Sequence, residues 1–176
     1  MSPITARPPR TALEVFQMMP EGTLAEIIEN QFFMSPAPNP FHQRVSGNLF
    51  TSINVFVLKN KLGEVFSAPV DVYIKEVNVV QPDILFIAKK NDLVVDEKGL
   101  HGVPDLIIEV LSPGNQQYDL GKKKELYEKT GVKEYWVVDP KTKIAVGFLL
   151  KKESYECIGE FKSQVRLSVL KKNFKF

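Results

Sequence analysis

Six residues, Leu106 to Leu111, form the most apolar strand-like run in this chain, and one carboxylate, Glu109, interrupts them. The run is rich in Leu, Ile and Val. It is preceded by Pro104-Asp105 and broken by Ser112-Pro113-Gly114-Asn115. That pattern reads as a strand covered on both faces, in the middle of a sheet. An ionised carboxylate costs several kcal/mol in such a place unless a cation or donors compensate it. Glu109 is therefore either held by a metal ion or a buried lysine, or it stands at a strand end and faces solvent.

The surrounding chain is of one-domain size, with 176 residues, and at 44% hydrophobic and 25% charged it can bury a core. The first ten residues, MSPITARPPR, read as a flexible arm without the apolar stretch of a secretory signal, and residues 11–176 read as the domain. No apolar run of membrane-spanning length occurs, so no membrane contact is expected. The single Cys157 allows no internal disulfide, and one Cys with two His cannot build a zinc cluster. The apolar residues around Cys157 read as a strand, and a reducing cytoplasm is the expected compartment. A net charge of +2 does not announce a polyanion-binding protein. The first 100 residues carry 9 Lys and Arg against 11 Asp and Glu, and the rest carry 14 against 10. With four arginines in the chain, any nucleic-acid contact is expected to run through lysine and the phosphate backbone.

Periodicity gives the elements. Thr11 and Glu14 have capping-box spacing before Leu13, Val15, Phe16 and Met19, which predicts a short helix ended by Pro20 and Gly22. Residues 24–34 read as a hairpin about Glu29-Asn30, with a short helix as the alternative. Val45, Leu49, Ile53 and Phe56 predict a helix of about five turns from His42 to Lys59. Strands are expected over Glu64–Ile74 and Val77–Ala88, then a polar loop from Lys89 to Gly102. After the Leu106 strand, a helix runs from Tyr118 to Lys129 and stops at Gly131. Strands follow over Glu134–Val138, Ile144–Leu150 and Tyr155–Ile158. Leu106 through Asp139 thus has β-α-β order. One mixed sheet flanked by two main helices is the predicted architecture.

Two Pro-Asp pairs precede Glu109, at Pro82-Asp83 and Pro104-Asp105. Asp105 shares the strand of Glu109 four residues away, about 13 Å at the normal rise, so the two cannot chelate one ion. Asp83 comes from another strand, and a neighbouring strand brings it within reach. Asp119, Lys123 and Tyr127, at i, i+4 and i+8, project from one helical face near the carboxyl end of the Glu109 strand. Lys123 is then either a positive charge beside the acids or part of a solvated basic face, as Lys122 and Lys124 are expected to be. Glu26 and Glu29 are acids in the hairpin, and His42 opens the long helix as a surface residue or a ligand. Tyr135, Trp136 and Phe148 read as core aromatics.

Several of these segments form a recognisable set: Gln81-Pro82-Asp83, the stretch from Gly102 to Pro113 with Glu109-Val110-Leu111-Ser112-Pro113, Asp119 with Lys123 and Tyr127, and Gly131 to Asp139. Together they resemble the Uma-two family of proposed bacterial endonucleases, within the PD-(D/E)XK, restriction-endonuclease-like superfamily. The resemblance covers nearly the whole chain from Leu13. It implies an α/β fold with a mixed sheet, a divalent cation (Mg2+, with Mn2+ as a substitute) and hydrolysis of phosphodiester bonds in nucleic acid, expected to be DNA.

Position by position, the resemblance implies Asp83 and Glu109 as metal-binding acids, with the backbone carbonyl of Val110 completing the set. The superfamily's usual lysine would stand at Leu111, and the family type implies Lys123 in its place. Glu26, His42, Asp119 and Tyr127 are supporting candidates. His42-Gln43 matches a pair common in the family, whereas Glu29-Asn30-Gln31 departs from its Asp-Gly turn followed by Glu. A homodimer is the expected assembly, since cutting two strands takes two sites or two events. The competing reading is an inactive nucleic-acid- or protein-binding module on the same fold; a hydrolase of small phosphoesters is a third.

Overall fold

A computed structural model describes residues 10–34, 37–75, 77–112 and 119–176, the side chain of Asp119 excepted. Residues 1–9 of the N-terminal arm, the Pro113-Gly114-Asn115 break and Tyr118, where the second main helix is expected to begin, therefore lie outside the described residues. The chain opens with α1 (Ala12–Phe16), whose N-cap Thr11 forms the predicted capping box with Glu14. β1 (Ala25–Ile28) and β2 (Gln31–Met34) make the expected hairpin, with Glu29 and Asn30 both at positive φ in the turn. The long helix α2 (Pro40–Asn60) has Pro40 in its first turn, and the Asn39 side chain accepts from the amides of Phe41 and His42. Its buried stripe is Val45, Leu49, Ile53 and Val57, with Phe56 only partly covered.

The architecture differs from a single sheet. Among the described residues there are two six-stranded sheets and a small C-terminal hairpin. The expected strand over Glu64–Ile74 is β3 (Gly63–Ser67) and β4 (Val72–Ile74), which belong to different sheets. Likewise Val77–Ala88 is β5 (Asn78–Val80) and β6 (Ile84–Ala88), also in different sheets. Pro69 and Pro82 fall at these two crossings, where a residue without an N–H cannot continue a ladder. The polar stretch after Lys89 is not all loop. It contains β7 (Val94–Asp96) and β8 (Gly99–His101), a hairpin whose three-residue strands are too short to show an alternation of apolar and polar residues.

The central strand is β9 (Leu106–Val110), buried along its length. A π-helical turn (Asp119–Lys123) leads into α3 (Lys124–Thr130), so the predicted helix is not α-helical in its first turn. Gly131, at φ 94, is its left-handed stop. β10 (Glu134–Val138), β11 (Ile144–Lys151) and β12 (Ser154–Lys162) follow, then β13 (Gln164–Leu167) and β14 (Lys172–Lys175), a hairpin not anticipated from the sequence. The first sheet runs β2-β1-β5-β4-β8-β7 and the second β12-β11-β10-β9-β6-β3. β9 pairs parallel with β10 and antiparallel with β6, which confirms its central place.

Alternation along these strands decides what each face meets. Ile84, Phe86, Leu106, Ile108 and Val110 pack with Val45, Leu49, Ile53 and Val57 of α2. Leu85, Ile87, Ile107, Tyr135 and Val137 pack on the other face with Leu126 and Tyr127 of α3 and with Val72, Ile74 and Val80 of the first sheet. Burying each such aliphatic side chain contributes about 1.5–3 kcal/mol. Glu109 shares the side of β9 that carries Ile107, the side that meets α3. Trp136 is fully buried, and Gly147 opposite it has no room for a Cβ, which would lie 2.6 Å from the indole ring. Tyr135 is fully buried too and Phe148 partly so, as expected of core aromatics, whereas Cys157 lies exposed on β12.

Candidate active site

Asp83 stands where the chain passes from β5 in one sheet to β6 in the other. Its backbone amide points at Glu109 Oε2, 3.4 Å away, and its carboxylate Oδ2 accepts from the Val110 amide at 2.7 Å. The same oxygen lies 3.0 Å from His42 Nε2. A carboxylate only accepts, so the imidazole nitrogen is the donor. His42 is buried, not a surface residue: Asn39 and Pro40 begin α2 in a way that turns its first-turn imidazole into the sheet.

Glu109 is 3% exposed, which excludes the solvent-facing alternative. Its Oε1 accepts from Lys123 Nζ and from the Tyr127 hydroxyl, each at 2.9 Å. One helical turn separates these donors, so both reach the same oxygen from the face of α3 that covers β9. Lys123 is likewise buried and lies 3.0 Å from Glu26 Oε1 on β1. Two buried carboxylates thus share one ammonium, with Asp83 as a third acid beside them. Burial first, then the charges of Glu109 and Glu26, push the Tyr127 phenol well above its ordinary pKa, so it stays a neutral donor.

Asp83, Glu109, Val110, Lys123 and His42 line one cavity of about 370 Å3, between the first turns of α2 and the ends of β6 and β9. Glu26 and Tyr127 stand behind it. The π-helical geometry at Lys123 is of a kind that recurs at functional sites. The side chain of Asp119 lies outside the described residues. Glu29 is exposed and pairs with Lys129 at 3.4 Å. Asp105 serves elsewhere, accepting from the Ala88 amide, Asn91 and Lys133. Lys122 and Lys124 are not simply a solvated face: Lys122 is exposed but its Nζ donates to Gln31 Oε1 and lies 5.0 Å over the Phe33 ring, and Lys124 Nζ lies 4.5 Å over the Phe148 ring.

Gln81 escaped the sequence reading as a site residue. Its amide donates to Glu26 Oε1 at 2.7 Å, and its side chain donates to Asp71 Oδ1 and to the Thr23 carbonyl. Adjacency to Pro82-Asp83 was the available signal.

The donor set facing the cavity is all oxygen on the acidic side, and it carries more negative than positive charge. Among the described residues, no three His, Cys, Asp or Glu groups come together in a geometry to hold a metal. Two carboxylates nevertheless fit magnesium, which commonly takes one or two from a protein and fills its shell with water and substrate phosphate.

The fold is that of a nuclease-like α/β domain. The family model for Uma2, described as "Putative restriction endonuclease", matches residues 12–171, and the chain belongs to this family. The fold also matches a crystallised "putative nuclease belonging to DUF820" from Anabaena variabilis, with TM-score 0.74 and 21% identity over 92% of this chain and 91% of that one. At that identity the likeness establishes the shared fold. No curated protein matches the chain. No helix among the described residues is long and apolar enough to cross a membrane.

Proposed function

We propose that the protein is a divalent-metal-dependent endonuclease that hydrolyses phosphodiester bonds, with DNA as its substrate. The observation that carries this reading is the meeting of Asp83 and Glu109, from neighbouring strands, in one cavity with a buried lysine on Glu109. Asp83, Glu109 and the Val110 carbonyl would hold Mg2+, or Mn2+ in its stead. When bound, the ion supplies an acidified water and offsets negative charge developing on phosphorus.

The protein's own residues do the rest. His42 and the Val110 amide fix Asp83 in one rotamer. Tyr127 and Lys123 do the same for Glu109, so neither acid needs to reorganise when a cation arrives. Lys123 places a positive charge at the wall of the cavity, where it can orient the attacking water or a non-bridging phosphate oxygen. Tyr127 holds its proton throughout and acts only as a donor. The site is small and sparsely basic, so binding of the nucleic acid is expected to rest on backbone attraction and to weaken with salt.

The reading is tested by incubating supercoiled and linear DNA with the purified chain and Mg2+ or Mn2+. Nicking that EDTA stops and that Asp83→Ala and Lys123→Ala lose supports it. Full activity in both variants, or binding of DNA without cleavage under either metal, overturns it, the latter in favour of a binding module.

A further inference from the structure

Glu26 is 2% exposed and sits on β1, in the other sheet from Glu109. Its Oε1 is held at two points, by the Gln81 amide at 2.7 Å and by Lys123 Nζ at 3.0 Å. Its Oε2 is buried with no hydrogen-bond partner among the described residues. A carboxylate so placed is a costly feature. Among the described residues its one close cation is Lys123, which is also 2.9 Å from Glu109. Glu26 does not line the cavity that Asp83, Glu109 and Lys123 share, and no third acid joins Asp83 and Glu109 in metal-holding geometry among the described residues.

Gln81 explains why Glu26 stays put. Its amide lies one residue before Pro82 and two before Asp83, so the segment that delivers Asp83 also fixes Glu26. The Gln81 side chain is tied in turn to Asp71 and Thr23, at 2.7 and 3.0 Å. Glu26 is therefore held from two sides, behind the lysine.

We propose that Glu26, clamped by Gln81, is the dedicated anchor of Lys123: a positioning residue and not a metal ligand. If Glu109 shares its charge with a divalent cation, as the endonuclease reading requires, its hold on Lys123 weakens with no change of rotamer. Glu26 then keeps the ammonium in place beside the cavity. The pairing itself stands without that reading; only its use in the reaction rests on it.

Two measurements test the anchor. The first follows the Lys123 ammonium by 15N-detected NMR on the full labelled chain, assigned with Lys123→Arg. Ammonium protons are seen only when hydrogen bonds slow their exchange. The signal is expected in the native chain, to survive in Glu109→Gln, and to be weakened more by Glu26→Ala than by Glu109→Gln. Its absence from the native chain, or its loss in a folded Glu109→Gln, overturns the proposal. The second measurement is a double-mutant cycle on Mn2+-dependent DNA cleavage. Glu26→Gln is expected to lower kcat by about 10²-fold, as a small misplacement of a catalytic group does, with KM and Mn2+ affinity within about twofold of native. In the Lys123→Ala background the same change is expected to leave the small residual cleavage rate, followed at high enzyme concentration, unchanged. A tenfold or greater loss of Mn2+ affinity, or multiplying losses in the cycle, makes Glu26 a ligand or an independent group and overturns the proposal. A native chain that neither binds Mn2+ nor cleaves DNA removes the endonuclease reading alone, and the NMR result then decides the anchor by itself.

Discussion

The Val110 amide donates to Asp83 Oδ2 at 2.7 Å, so the residue that follows Glu109 on β9 holds the acid delivered by β6. The two acids are thereby fixed relative to each other through the backbone. Asp83→Asn keeps the side chain's size and one acceptor oxygen but removes its charge. The variant is expected to fold with nearly native stability and to lose Mn2+ binding by tenfold or more, read by calorimetry. Native affinity in that variant contradicts a ligand role for Asp83.

Lys123 is the sole side-chain cation seen on both buried carboxylates among the described residues. Removing one partner of a buried ion pair typically costs about 3–5 kcal/mol, because a charge is left uncompensated. Lys123→Ala is expected to lower stability by about that much in EDTA, measured by urea unfolding. Mg2+ is expected to restore part of it, since a cation can compensate Glu109. An equal loss with and without Mg2+ contradicts the proposed place of the ion.

Tyr127→Phe removes one hydrogen bond to a carboxylate and leaves the packing intact, which costs about 1.5–3 kcal/mol. The phenol's raised pKa also fixes a pH effect. The unfolded chain ionises this tyrosine near its ordinary value of about 10, while the folded chain keeps it protonated. Stability from this group is complete below that pH and is lost as pH rises through the higher folded value. Native protein should therefore lose stability more steeply above pH 10 than Tyr127→Phe, as thermal melts across pH 8–11 would reveal.

Asp105 gives the opposite slope. Burial alone raises its carboxyl, but hydrogen bonds from Lys133, Ala88 and Asn91 outweigh it and hold the pKa below the ordinary value. Its contribution is present above the unfolded pKa of about 3.9 and is lost as pH falls through the lower folded value. Asp105→Ala is expected to cost about 1–3 kcal/mol at neutral pH, by leaving the Ala88 amide unpaired. The gap to the native chain should narrow near pH 3, which acid-unfolding curves will report.

How much of this was legible in the sequence depends on whether a residue's role is set locally. The capping box at Thr11, the stripe on α2, the central strand around Glu109 and the stop at Gly131 all follow from nearest neighbours in the chain, and the structure bears them out. The choice of Asp83 over Asp105 as the acid beside Glu109 also stands, since strand spacing alone forbids two acids four residues apart from meeting. The division into two sheets was not legible. It depends on which long-range partners β4, β5 and β8 choose, and Pro69 and Pro82 mark only where a ladder must end. The β13–β14 hairpin escaped because its strands are four residues long and mostly polar. Glu134 pins that region by accepting from Trp136 Nε1 and from the Ser168 and Val169 amides, a role no local pattern announces. Gln81 was missed for a similar reason: its part is played by a backbone amide, whose direction depends on the path of the chain.

Asp83 and Glu109 are proposed to hold one divalent cation between them. Crystals of the native chain soaked in Mn2+ test this directly, through the anomalous difference density at the manganese edge. One peak is expected within coordination distance, about 2.1 Å, of a carboxylate oxygen from each acid, with Lys123 still on Glu26. A peak elsewhere, or none at Mn2+ concentrations that support DNA cleavage, contradicts it.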